Sequence, residues 1–101
     1  MMTLREVKFT EKALEDLYEL DYTIRYNFQA PLTAERYLTG LKQEIQELTR
    51  SADLSVVQRK LSQKYGIEIR RVNYKGMAIL YSIEEEVVII QRIIPQNMVI
   101  F

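Results

Sequence analysis

The last third of the chain limits its fold most. Residues 66–101 read GIEIRRVNYKGMAILYSIEEEVVIIQRIIPQNMVIF. Three apolar runs are separated by two turn signals, Asn73-Tyr74-Lys75-Gly76 and Glu84-Glu85-Glu86. Asn and Gly tolerate positive φ, and three adjacent carboxylates are costly inside a strand. The pattern predicts a three-stranded antiparallel meander. Its last run, Val87 to Ile93, is nearly continuous in apolar residues, as a strand buried on both faces requires. Pro95 then interrupts pairing. In the first run, alternation puts Ile67, Ile69 and Arg71 on one face and Glu68, Arg70 and Val72 on the other.

A sheet with an apolar face needs a cover, and residues 1–65 supply a helical one. Arg5, Val7 and Phe9 alternate with Glu6 and Lys8, which predicts a short first strand. Thr10 is a side-chain N-cap, with Glu11 in the first turn beyond it. Ala13, Leu17, Leu20, Ile24 and Phe28 form one face of a helix running to about Phe28, with Tyr18, Tyr22 and Tyr26 on its flank. Pro31 marks the end of that helix and Thr33 the N-cap of the next. Ala34, Leu38, Leu41, Ile45 and Leu48 give the clearest stripe in the chain. So short a connection predicts an antiparallel helical hairpin. Ser55 and Gln58 have capping-box spacing, and Gly66 is a stop signal. They bracket a short third helix, expected at the sheet's edge.

The order β-α-α-(α)-β-β-β predicts an α+β fold. An antiparallel sheet of about four strands is packed on one face by an N-terminal helical hairpin, and its other face is partly open. At 101 residues, of which 48% are apolar, one domain spanning 1–101 with one two-layer core is expected.

The chain has no cysteine and no histidine. Disulfides, thiolate chemistry and the usual neutral-pH general base are therefore excluded, and with them every Ser-His-Asp or Cys-His arrangement. No metal site or cofactor is expected. The longest aliphatic run is Val87-Val88-Ile89-Ile90, far short of a membrane span, and the N-terminus is charged from Arg5. The expectation is a cytoplasmic protein without membrane contact.

Net charge is zero but unevenly spread. Residues 1–53 hold 7 basic and 10 acidic residues, and residues 54–101 hold 7 basic and 4 acidic. Between Arg59 and Lys75, six cations (Arg59, Lys60, Lys64, Arg70, Arg71, Lys75) face one carboxylate, Glu68. That local field favours an acidic partner. A neutral chain gains little from phosphate neutralisation, so DNA binding on its own is not expected.

Several short stretches carry a resemblance that spans nearly the whole chain. They begin with Val7-Lys8-Phe9-Thr10, Leu14-Glu15-Asp16-Leu17 and Asp21-Tyr22-Thr23-Ile24. Pro31 and Ala34-Glu35-Arg36-Tyr37 follow, then Leu41, Ile45 and Leu48. Ile69-Arg70-Arg71-Val72-Asn73-Tyr74, Ala78 to Ile83, and Val87 to Ile90 with Arg92 complete the set. In this order they resemble the RelE/ParE superfamily of toxins from bacterial type II toxin–antitoxin modules. The resemblance implies a growth-inhibiting protein neutralised by a cognate antitoxin. It also implies one of two targets. RelE-like members cleave messenger RNA in the ribosome with Arg, Lys and Tyr, and ParE-like members act on DNA gyrase.

RNA cleavage needs cations for a charged transition state and a group to handle the 2′-hydroxyl proton. The candidates are Arg70, Arg71, Lys75 and Arg92 for charge, and Tyr74 and Lys64 for protons. Arg71 stands where both branches commonly carry a basic residue. Two departures count against the nuclease branch. Ala78 stands where such nucleases carry an arginine, and Pro95-Gln96-Asn97-Met98 stands where they carry basic residues and a tyrosine. Lys64, Lys75, Gln96, Met98 and Phe101 are candidates for contact with target or antitoxin. Plainer roles compete: Arg70 and Arg71 point to opposite faces, a buried Arg92 needs an ion-pair partner, and Tyr81 is better placed as core. The alternative function is a non-enzymatic binding module or an inactive toxin relic.

Overall fold

The computed structural model describes residues 4–99. Strand β1 (Glu6–Phe9) leads into helix α1 (Glu11–Tyr22), which continues as a π-helical turn, Thr23–Asn27. Helix α2 (Pro31–Ser51) is followed by a 3₁₀ turn, Ala52–Leu54, and a short helix α3 (Arg59–Tyr65). Strands β2 (Arg70–Tyr74), β3 (Met77–Glu84) and β4 (Val87–Pro95) form the meander, and Gln96–Met98 closes with a 3₁₀ turn. The sheet order is β1-β4-β3-β2.

The meander is antiparallel, as the turn signals require, but β1 joins β4 in parallel, so the sheet is mixed. The alternation of a four-residue strand assigns its faces. It carries no information about the direction of its neighbour.

Two helices cover one face. Ala13, Leu41, Ile45 and Leu48 meet Met77, Ile79, Tyr81, Val88, Ile90 and Ile93 in the main core. The Thr10 hydroxyl accepts from the Ala13 N–H at 3.0 Å and donates to the Gln91 carbonyl at 3.0 Å. One side chain therefore caps α1 and fixes it to β4. Tyr81 is fully buried and donates to the Ala52 carbonyl at 2.6 Å, which makes it core.

Burial raises the Tyr81 phenol pKa. A phenol held neutral in the folded state stabilises fully below its unfolded value of about 10, and that contribution is lost as pH rises above it. Tyr81→Phe is expected to cost about 1–2 kcal/mol at neutral pH, because the Ala52 carbonyl loses its donor. The variant should also show a shallower loss of stability above pH ~10. Urea unfolding at neutral and alkaline pH tests both.

Four local expectations change. The π-helical turn, closed by Phe28 N–H to the Thr23 carbonyl at 3.0 Å, breaks the 3.6-residue spacing. Phe28 consequently leaves the core stripe and is 71% exposed. Pro31 opens α2 at its first turn, where its missing N–H costs nothing, so Thr33 lies inside the helix. The Ser55–Gln58 capping box does not form; Gln58 itself precedes α3, which ends at Gly66 with φ 75°. Finally, α3 starts at the sheet's β2 edge, as expected, where Val57 bridges Arg70 and the Gln58 N–H donates to the Ile69 carbonyl, but it also folds over the second face. Leu61 packs with Ile69, Ala78 and Leu80, and Tyr65, Ile94 and Val99 lie around them. That face is more covered than the sequence suggested.

Gly40 has a specific reason. A Cβ there would overlap the Tyr74 hydroxyl and lie 2.9 Å from its Cζ. Tyr74 is held edge-on against Tyr37, whose hydroxyl donates to the Tyr74 and Lys75 carbonyls at 3.2 and 3.0 Å. Gly40→Ala is expected to cost about 1 kcal/mol, overpacking outweighing the gain in helix propensity. Adding Tyr74→Phe removes the hydroxyl overlap but keeps the Cζ contact, so it should recover part of that loss in a double-mutant cycle.

Candidate functional site

The functional geometry gathers where β1 stops. Its last pair is Phe9 with Ile90, so beyond Ile90 the outer edge of β4 has no strand beside it. The register between β3 and β4 shifts at the same level, with Leu80 opposite Arg92 and Tyr81 opposite Ile90. This bulge leaves Gln91 as the extra residue and re-aims Arg92.

Helix α1 occupies the vacated edge. The Asp16 carboxylate accepts from Arg92 Nε at 2.7 Å, from Arg92 Nη2 at 3.1 Å and from the Ile93 N–H at 2.9 Å. Asp16 is 8% exposed and the Arg92 side chain 28%. The Arg92 guanidinium is held above its usual pKa, chiefly by the hydrogen bond to Asp16 and against the opposing effect of burial. The pair is a bidentate fork that also replaces a missing ladder bond.

Two clefts meet at Arg92. On the α1 side, a cleft of about 270 Å³ is lined by Asp16, Glu19, Leu20, Met77, Ile93 and Met98, among others. On the α3 side, one of about 180 Å³ is lined by Leu61, Lys64, Tyr65, Leu80, Arg92 and Met98, among others. Arg92 and Met98 line both.

The sequence-derived candidates divide between the faces. Arg71 pairs across from Leu80, which pairs across from Arg92, so the two arginines flank Leu80 on three adjacent strands. Lys64 joins Arg92 in the α3-side cleft. Arg71 Nε donates to the Asn73 side chain at 2.8 Å.

Arg70 and Tyr74 lie apart from this group. Arg70 Nη1 donates to the Asp53 carbonyl at 3.1 Å and to the Ser55 carbonyl, tying down the loop before α3. Tyr74 packs on Gly40 of α2, with the Lys75 ammonium 5.5 Å from its ring centroid. Gln96 donates its N–H to the Gly76 carbonyl at 2.9 Å, anchoring the segment that carries the exposed Met98. Phe101 and Ile100 lie outside the described residues.

Sequence reasoning missed Asp16, Glu19 and Tyr65 as site residues. A signal existed for Asp16. It lies three residues after Ala13 and four before Leu20, on the flank of the buried stripe, where a carboxylate must find a partner.

A mixed four-stranded sheet, a helical hairpin on one face and a short helix on the other define a RelE/ParE superfamily toxin fold. The family model described as ParE toxin of type II toxin-antitoxin system, parDE, matches residues 7–100, and the chain belongs to that family. A solved structure described as the chromosomal ParDE toxin–antitoxin system from P. aeruginosa matches with a TM-score of 0.70. The match covers 92% of this chain and 97% of that one at 18% identity, a likeness of fold. No curated protein sequence matches the chain. Among the described residues, no helix is long and apolar enough to cross a membrane.

Proposed function

We propose that the protein, a single domain acting in the cytoplasm, arrests growth by binding a protein target and is neutralised by a cognate antitoxin. DNA gyrase is the target that the resemblance to ParE-like toxins implies. One observation carries the choice of a binding mode over RNA cleavage. Arg92, the cation best placed in the clefts, has two of its nitrogens bound to the buried Asp16 carboxylate. A guanidinium so neutralised has little charge left for a developing oxyanion. The fully buried Ala78 removes a second cation from the same face.

Ribosome-dependent message cleavage is the second reading. The shared face of Arg71 and Arg92 favours it, with Lys64 beside Arg92. An inactive relic or simple binding module is the third.

Tightly controlled induction in bacteria, with and without the adjacent reading frame, tests the proposal. Growth arrest that the neighbour relieves is the expected result. Purified toxin should then inhibit gyrase supercoiling and leave translating messages intact. Position-specific message cleavage lost in the Arg71→Ala, Arg92→Ala double variant would establish the second reading. Normal growth with soluble, folded protein would establish the third.

A further inference from the structure

The cleft on the α1 side has an asymmetric chemistry. Its floor is apolar, formed by Leu20, Met77, Ile93, Pro95 and Met98. Asp16, Glu19 and Arg92 are its charged lining residues, two carboxylates against one guanidinium. Asp16 is fully engaged by Arg92 and the Ile93 N–H. The Glu19 carboxylate is exposed and has no hydrogen-bond or ion-pair partner among the described residues. The cleft therefore presents one uncompensated negative charge above an apolar floor.

The backbone here offers an added strand little to pair with. Thr10 takes the Gln91 carbonyl, Asp16 takes the Ile93 N–H, and Pro95 has no N–H to offer. Side-chain contact is the mode of engagement this place favours. A phosphate would meet Glu19 and an already neutralised arginine, which disfavours nucleic acid. A lysine or arginine fits on both counts: its methylene stem covers the floor and its cationic head reaches Glu19. Met77 and Met98 are unbranched thioethers that adjust to the stem they receive.

We propose that this cleft is a docking pocket for one lysine or arginine side chain of the antitoxin, with Glu19 as the recognising carboxylate. The proposal rests on the toxin–antitoxin reading above and goes beyond it in naming the pocket and the chemistry of its occupant.

The test is calorimetric titration of the toxin with the product of the adjacent reading frame. Wild type, Glu19→Gln and Glu19→Lys are compared, and each lysine and arginine of the antitoxin's toxin-binding region is changed singly to glutamate. Glu19 is exposed, so both variants should keep the wild-type unfolding midpoint. Glu19→Lys is expected to bind about ten-fold more weakly, with Glu19→Gln between it and wild type. One charge-reversed antitoxin should bind Glu19→Lys more tightly than it binds wild type. Affinities within about two-fold of wild type, or a loss that no charge reversal restores, would overturn the pocket while leaving the toxin reading intact. Altered sedimentation of the isolated Glu19→Lys chain with unchanged antitoxin affinity would assign the cleft to a second copy and also overturn it. Wild-type toxin that does not bind the neighbour's product would remove the toxin–antitoxin reading itself, and the pocket with it.

Discussion

Asp16→Ala is expected to destabilise the protein by about 3 kcal/mol, near the lower end of what breaking a buried ion pair costs. The lower end applies because Arg92 keeps 28% of its side chain exposed and regains some water when its partner is lost. Two losses combine. Arg92 loses the partner of both its Nε and Nη2, and the Ile93 N–H loses the acceptor that stands in for a neighbouring strand. Asp16→Asn separates them: its side-chain oxygen still serves Ile93 while the charge is gone, so a loss of about half is expected. For a chain of this length the alanine variant should lower Tm by more than about 10 °C. Urea denaturation of the three proteins measures the order directly. A loss below about 1 kcal/mol for Asp16→Ala would mean that the pair contributes no more than an exposed one. Arg92 would then keep its charge available and would not count as a neutralised cation.

The same pair shows where the sequence is readable and where it is not. The meander, the helical hairpin and the third helix were all legible, because period-2 and period-3.6 apolar patterns report the faces that burial demands. Alternation puts Arg70 and Arg71 on opposite faces, and the register agrees. Legibility stopped wherever the outcome depends on a long-range partner. The parallel pairing of β1 with β4 joins residues some eighty positions apart, and nothing local in Glu6–Phe9 records it. The π-helical turn that turns Phe28 outward follows from how the hairpin closes, with Ala30 N–H bonded to the Ile24 carbonyl. Arg92 was recognisable as a residue in need of a partner. That the partner is Asp16, seventy-six residues earlier, depends on where β1 ends and α1 begins.

Ala78→Arg, which restores the residue that the resemblance places there in nucleases, is expected to cost about 4 kcal/mol or more. Ala78 is fully buried on β3, between Asn73 and Ile94 in the register, and packs with Leu61, Ile69 and Leu80 beneath α3. Among the described residues, the adjoining α3-side cleft is lined by no carboxylate and already holds Lys64 and Arg92. An arginine would have to displace α3 or bury its charge unpaired, and either route exceeds the cost of volume alone. Ala78→Met supplies the control, adding length without charge at an expected cost of about 1–3 kcal/mol. The difference between the two variants in urea midpoint, with near-ultraviolet circular dichroism reporting the packing of Tyr65 and Tyr81, isolates the cost of the ion. If Arg is tolerated as well as Met, its head group escapes past α3 to solvent, and packing does not explain the missing cation. That variant, assayed on translating ribosomes, would then be the most direct test of whether this fold retains the rest of a nuclease site. If Arg is not tolerated, α3 and the cation compete for the same volume, and the covered second face is itself a reason for this chain to act by binding.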